Sequence, residues 1–245
     1  MKENETVDDL ILSGLKIIQK KNGFRFSIDS VLLTHFPAVK KGDRIIDLGT
    51  GTGVVPLLMS TRGEDLALTG IEIQEEIAEM ARRSVELNNL SRVEIIQGDL
   101  RKLNKEMFNH FNLVVSNPPY LPVNQGKVSP QPEVALARHE IMCTLSELVQ
   151  TAKKLLKEKG RLAMVHRAER LGEIMYELHK HGLCPSRLRL VYPHLDKHAN
   201  LVLIEAVKGS GVSLKVEKPL IVYKDETCYT DELLNYYFGG GTCEQ

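Results

Sequence analysis

The chain has 245 residues, with 32 basic and 32 acidic side chains and a formal net charge of zero. That length suits one α/β domain with modest additions, and the zero balance speaks against a nucleic-acid binder held by bulk charge alone. The apolar fraction is ordinary, no apolar run is long enough to span a bilayer, and the charged start leads into no signal-peptide core, so a cytoplasmic protein without membrane attachment is expected.

Leu10–Leu12 and Leu15–Gln19 are weak strand candidates around Ser13-Gly14. A short helix is expected from about Ser30 to Phe36, stopped by Pro37, with Asp29 able to cap it. Residues 1–40 thus read as an amino-terminal extension, a hairpin plus a short helix, packed on a core spanning 41–208. That core alternates strands and helices. Arg44–Leu48, Ala67–Glu72, Val93–Gln97, Leu113–Ser116, Arg161–His166, Leu188–Tyr192 and Leu201–Val207 are short runs rich in Val, Ile and Leu. Helices fit at Glu75–Asn88, Leu145–Leu156 and Glu169–His181, where apolar residues recur at helical spacing. The pattern predicts a Rossmann-like α/β fold: a seven-stranded, mostly parallel sheet with helices on both faces. Pro193–Asn200 is too short for a crossover helix, so the last two strands should form an antiparallel hairpin. Residues 209–245 form a carboxy-terminal extension with strand candidates Val212–Val216 and Leu220–Tyr223 and a short helix Asp231–Phe238, released by Gly239-Gly240-Gly241 into a disordered end.

Cys143, Cys184, Cys228 and Cys243 lie far apart without metal-ligand spacing, so neither a zinc site nor a disulfide framework is expected. Basic residues crowd Lys16–Arg44 and Lys153–Arg189, and acids gather in Glu64–Glu79. This segregation is either a solvated surface or a phosphate-facing side opposite an acidic one.

The first strand runs into Asp47-Leu48-Gly49-Thr50-Gly51-Thr52-Gly53, and Val54-Val55-Pro56 opens a helix. Gly49, Gly51 and Gly53 allow backbone conformations and ligand approach that a Cβ forbids, and Pro56 suits a first helical turn. A dinucleotide fingerprint needs G-x-G-x-x-G, whereas position 54 is Val. The acidic-x-G-x-G-x-G form looks instead like motif I of class I methyltransferases. Strand two ends at Gly70-Ile71-Glu72-Ile73, where a carboxylate can accept from ribose hydroxyls and Ile73 borders the same site. Strand three leads to Gln97-Gly98-Asp99-Leu100. Asp99, with Leu100 beside it, resembles the residue that accepts from a cofactor adenine, although an Asp there can equally cap a turn.

Strand four runs into Asn117-Pro118-Pro119-Tyr120. The prolines hold Asn117 extended, so that its side-chain carbonyl and the Pro118 carbonyl become fixed acceptors for both hydrogens of one planar NH₂ group. Such a nitrogen is a poor nucleophile because its lone pair is delocalised. Two acceptors favour a pyramidal nitrogen aimed at the methyl donor, and position and electrostatics do the rest. Tyr120 offers a face on which a flipped base can stack.

Motif I with Asn-Pro-Pro-Tyr resembles the amino-methyltransferases, a group that includes adenine-N6, guanine-N2 and release-factor glutamine enzymes. About forty residues precede motif I, which leaves no room for the helical or second domain of the latter two. Phe24-Arg25-Phe26-Ser27-Ile28-Asp29-Ser30-Val31-Leu32-Leu33 and Ala135-Leu136-Ala137-Arg138-His139-Glu140 are similar to segments of bacterial tRNA1(Val) adenine-N6 methyltransferases. That resemblance implies S-adenosyl-L-methionine as cofactor, no metal, and an adenine just 3′ of the anticodon in tRNA as substrate. It implies a cofactor site of Asp29, Asp47, Gly49, Gly51, Gly53, Glu72, Ile73, Asp99, Leu100 and Asn117, catalysis by Asn117, Pro118 and Tyr120, and RNA contacts by Pro119, Tyr120, Lys127 and Arg138. A monomer is expected, with a dimer as the alternative. Competing readings are a release-factor glutamine methyltransferase, an rRNA guanine-N2 methyltransferase, and a non-catalytic cofactor- or RNA-binding module.

Overall fold

A computed structural model describes residues 2–10, 14–21, 27–118, 143–209, 211–226 and 228–238. Its centre is a sheet whose strands follow the order β8-β9-β7-β6-β3-β4-β5. In chain order these are β3 (Arg44–Leu48), β4 (Ala67–Glu72), β5 (Val93–Gln97), β6 (Phe111–Ser116), β7 (Leu156–Arg167), β8 (Leu183–Tyr192) and β9 (Leu201–Lys208). β3 pairs in parallel with β4 and β6, β4 with β5, and β6 with β7. The expected hairpin is present, with a topological detail that spacing alone does not give: β9 slots between β7 and β8 and is antiparallel to both.

The parallel strands are apolar on both faces because helices cover both. On one face α1 (Ile28–His35), α2 (Val54–Met59) and α3 (Glu75–Leu87) contribute Leu32, Leu33, Leu57, Leu58, Ala78 and Ala81 to one core. On the other, α4 (Leu145–Leu155) and α5 (Leu171–Lys180) contribute Leu148, Val149, Ala152, Ile174 and Leu178 to a second. Each such Leu or Ile, fully removed from water, stabilises the fold by roughly 1.5–3 kcal/mol before chain entropy is counted. Thr144 starts α4 with a capping box, its hydroxyl taking the Glu147 N–H while the Glu147 carboxylate takes the Thr144 N–H.

The amino-terminal strands differ from expectation. β1 is Glu5–Asp9 and β2 is Lys16–Lys20, paired antiparallel with Glu5 opposite Lys20. Leu10 is not a strand residue but a buried core contact that closes the turn by donating its N–H to the Leu15 carbonyl. The polar sequence Glu-Thr-Val-Asp-Asp forms a strand because distant groups satisfy it. Arg83 on α3 grips the buried Glu5 carboxylate at 2.6 Å and holds its pKa down to about 2. α1 also begins earlier than expected, at Ile28 behind Ser27, so Asp29 lies in the first turn and is not the cap. In the carboxy-terminal extension, β10 (Lys215–Val216) and β11 (Leu220–Ile221) are two-residue additions to β8, and α6 runs over Asp231–Phe238.

The charge segregation dissolves in three dimensions. Lys20 and Lys41 pair with Glu76 and Glu64, so the first basic group and the acidic group are neighbours rather than opposite faces; Lys2, outside that group, pairs with Glu79. In the second basic group, Arg161, Arg170, Lys180, Arg187 and Arg189 bind Glu205, Glu173, Glu177, Glu217 and Glu232. Among the described residues no helix is long and apolar enough to cross a membrane, and no cluster of His, Cys, Asp and Glu could hold a metal ion.

His166, at the end of β7, is fully buried; its Nδ1 accepts the Arg167 N–H at 2.8 Å. Burial, reinforced by the Arg170 and Arg167 charges and opposed by Glu173, pushes its pKa down to about 4. The unfolded imidazole titrates near 6.5, so the unfolded chain takes up a proton that the folded one refuses between about pH 6.5 and 4. Folding stability from this group is therefore intact above that window and falls by about 3 kcal/mol across it. Urea unfolding of wild type and His166→Leu at pH 7 and pH 4.5 should show that gap narrowing against wild type on acidification. A constant gap would place the proton elsewhere.

Candidate active site

β3 delivers Asp47 and Leu48 into the glycine turn. Gly49, Gly51 and Gly53 have φ of +77°, +57° and +86°, a region closed to most side chains. Among the described residues a Cβ at Gly49 or Gly51 would meet nothing within 4 Å, so the turn is bent by backbone demand rather than by crowding. The Gly49 and Thr50 N–H groups both donate to the Ile71 carbonyl, at 3.0 and 2.9 Å, and dock the turn on β4. That docking needs Gly70, because a Cβ there would lie 2.9 Å from Thr50 and 2.8 Å from Ile95. Gly70→Ala is expected to push Thr50 outward, lowering stability by roughly 1–3 kcal/mol and loosening cofactor binding. Calorimetry with S-adenosylmethionine on the folded variant checks the second part, and unchanged affinity would count against the close approach.

Glu72, at the end of β4 and 5% exposed, braces the turn from the other side. Its Oε2 accepts from the Gly51 N–H at 3.0 Å and its Oε1 from the Gln74 N–H at 2.9 Å. Ile73 follows, its carbonyl taking the Gln97 amide at 3.1 Å. Asp99, beyond β5, caps the 3₁₀ turn at Leu100–Lys102 and chelates Arg101, whose guanidinium holds its carboxyl below the usual range. Leu100 is half-buried against the second core. A cavity of about 480 Å³ opens at Gln97, Gly98 and Asp99 and runs past Thr69 and Glu94 to Arg44, toward the amino ends of the strands.

Asp47 is the anomaly of the site. It is 3% exposed, and among the described residues neither carboxylate oxygen has a hydrogen-bond partner, nor has the buried Thr50 hydroxyl. Burial pushes its pKa up to about 7; nearby Thr50 pulls down and the Glu72 charge pushes further up. A buried carboxylate without a donor is expensive unless a ligand completes it. Two carboxylates beside an open glycine turn suit a ligand that carries positive charge and hydroxyls.

β6 brings the fourth component. The Ser116 hydroxyl donates to the Leu48 carbonyl at 2.7 Å, tying the ends of β6 and β3 together. Asn117 follows, its side-chain NH₂ donating to the buried Ser30 hydroxyl of α1 at 3.4 Å, and Pro118 is buried. That bond orients the Asn117 amide, with its nitrogen toward α1. Asp47, Glu72, Asp99 and Asn117 thus stand at the carboxyl ends of four adjoining strands, β5-β4-β3-β6, with the half-buried Asp29 in the first turn of α1. Pro119, Tyr120, Lys127 and Arg138 lie outside the described residues. Sequence reasoning passed over Ser30, Thr50 and Gly70. Ser30 sits inside the stretch singled out around Asp29, and a glycine among β-formers is itself a sign of close approach.

Residues 28–180 match the family model described as "Methyltransferase small domain". A tRNA1(Val) (adenine(37)-N6)-methyltransferase of Parabacteroides distasonis is 28% identical over 206 residues, covering 81% of this chain and 86% of the relative. The enzyme of the same name from Porphyromonas gingivalis strain W83 is 34% identical over 182 residues, covering 70% and 71%. Among solved structures, a predicted O-methyltransferase from Agrobacterium tumefaciens superposes with a TM-score of 0.71 at 25% identity, over 86% of this chain and 96% of that one. The glycine turn, the unmet Asp47 and the Glu72 brace fit S-adenosyl-L-methionine, whose sulfonium and ammonium are cationic and whose ribose offers a diol. The chain belongs to the methyltransferase small-domain family and is an S-adenosyl-L-methionine-dependent methyltransferase.

Proposed function

We propose that the chain methylates the exocyclic N6 nitrogen of the adenine 3′ of the anticodon in tRNA, in the cytoplasm. The observation that carries this is Asn117, held at the end of β6 by Ser30, with Pro118 buried behind it and the glycine turn on the next strand. The tRNA relatives named above support the choice of base.

Asp47, Glu72, Ile73, Asp99 and Leu100 hold the cofactor, with Asp29 and the three glycines. When bound, S-adenosyl-L-methionine supplies a methyl group on an electrophilic sulfonium. Asn117 Oδ1 and the Pro118 carbonyl accept the two amino hydrogens and turn the nitrogen lone pair toward that methyl for in-line displacement. The proton becomes acidic once the nitrogen is alkylated, so no strong base is needed before transfer. The roles we assign to Pro119 and Tyr120 are contacts with the extruded adenine, and to Lys127 and Arg138 contacts with RNA phosphate. Unstacking a loop base costs less than flipping one from a duplex. Residues 41–208 serve as the catalytic domain, 1–40 as an extension packed on it and 209–245 as a carboxy-terminal extension, and the chain acts as a monomer.

Mass spectrometry of nucleosides from unmodified tRNA incubated with the protein and cofactor tests this reading. New N6-methyladenosine is expected. Its absence, with methylation of a purified release factor instead, would transfer the assignment to glutamine.

A further inference from the structure

β8 runs in the same direction as β6 and β7, because β9 is antiparallel to both β7 and β8. The turn that follows β8, residues 193–200, therefore stands on the same edge of the sheet as Asn117. Leu195 at its tip is 82% exposed and belongs to neither core. Beside it are the exposed Lys197 and His198 and a single acid, Asp196, 3.5 Å from the Lys197 ammonium.

The tip is braced. His194 stacks on Tyr223 at 5.2 Å, Tyr223 on Tyr229 at 5.1 Å, and Tyr229 on Tyr237 at 5.9 Å. Tyr237 belongs to α6, which packs on α1 with Tyr236 stacked on His35 at 4.6 Å. Asp29 on α1 is near enough to bear on the ionisation of the Tyr237 hydroxyl. A continuous series of four rings thus links the hairpin tip to α6, which packs on α1. The rings occupy one another's faces, so the series acts as a strut, and what it holds in place is Leu195.

We propose that this tip receives the single-stranded nucleotides beside the methylated base, with Leu195 packing against an unstacked base and Lys197 and His198 meeting phosphates. The inference rests on the RNA substrate proposed above. An adenine that leaves the stack to reach Asn117 exposes its neighbours, which then need an apolar partner close to the same edge. An exposed leucine two residues from Lys197, on a rigid turn, supplies both parts of that contact.

The test is anisotropy with a labelled anticodon stem-loop RNA on the full chain, comparing wild type, Leu195→Met and the double variant Leu195→Ala/Lys197→Glu. The double variant should bind about tenfold more weakly with a shallower salt dependence, and its KM for RNA should rise by the same factor. Its kcat at saturating RNA, its cofactor affinity and its melting temperature should not move, and Leu195→Met should behave as wild type. RNA binding and KM unchanged in the double variant, with wild type methylating the RNA, would overturn the tip contact alone. A wild type that methylates no RNA would overturn the substrate reading beneath it. A double variant impaired only toward a protein substrate would assign the tip to a polypeptide and overturn the RNA contact.

Discussion

Asn117→Ala should lower the single-turnover rate of methyl transfer by roughly 10²–10³ while cofactor affinity stays within about twofold. Asn117 is fixed at both ends of its environment: the backbone is stiffened by Pro118, and the side-chain nitrogen is turned to Ser30. What alanine removes is one acceptor that matters only as the substrate nitrogen becomes pyramidal, which is an interaction of the transition state. Asn117→Asp keeps acceptor oxygens but gives up the donor that Ser30 receives, so it should fall between wild type and alanine. Rapid-quench kinetics with saturating RNA and calorimetry with the cofactor separate the two quantities. Turnover near wild type in Asn117→Ala would eliminate the acceptor mechanism.

The second large effect belongs to Asp47. Its carboxyl, buried and without a hydrogen-bond partner among the described residues, is pushed up to about 7 from an ordinary 3.8. The folded, ligand-free protein therefore keeps a proton that the unfolded chain has lost. Stability from this group is fully present below about pH 4 and is lost as pH rises to 7, by roughly 4 kcal/mol. Asp47→Asn should raise the ligand-free melting temperature at pH 8 by several degrees. The same substitution should weaken cofactor binding by about tenfold or more, because the cationic ligand no longer meets a charge. Wild-type affinity should climb between pH 6 and 8, as the carboxyl ionises, and the Asn variant should show a flat profile. A destabilised Asp47→Asn with unchanged cofactor affinity would mean that the carboxylate serves the fold instead. Asp47 and His166 work in opposite directions over the same acidic window, so the pH dependence of wild type alone would hide both.

The central strands were legible because each is a run of Val, Ile and Leu that only a doubly covered sheet explains, and Glu75–Leu87 and Leu145–Leu155 showed their buried faces at helical spacing. β1 was not legible, since Glu5–Asp9 has no apolar pattern and its warrant, Arg83, is 78 positions away. The site divided in the same way. Asp47, Glu72 and Asn117 announce themselves by their place at strand ends. Asp99 resembles a cofactor ligand, and the structure shows that it also caps the turn at Leu100–Lys102 and is tied to Arg101 two residues on. Ser30 and the β8–β9 tip emerge only from contacts and exposure, which no local window contains. The basic clusters misled, because charge counted along the chain ignores the acids that folding brings beside it.

The position of β9 has a consequence for how the chain is made. The strands whose ends carry the glycine turn, Glu72, Asp99 and Asn117, β3 to β6, all leave the ribosome before β9. β7 then waits with an open hydrogen-bonding edge, because its neighbour on that side is not β8, which follows it, but β9, which is made last of the three. An unpaired apolar edge invites pairing with another chain. A transcript or protease product ending near residue 200 would therefore present β3 to β6 complete on a molecule prone to aggregate, and the eight residues of β9 act as the closure that makes the nascent domain safe to release.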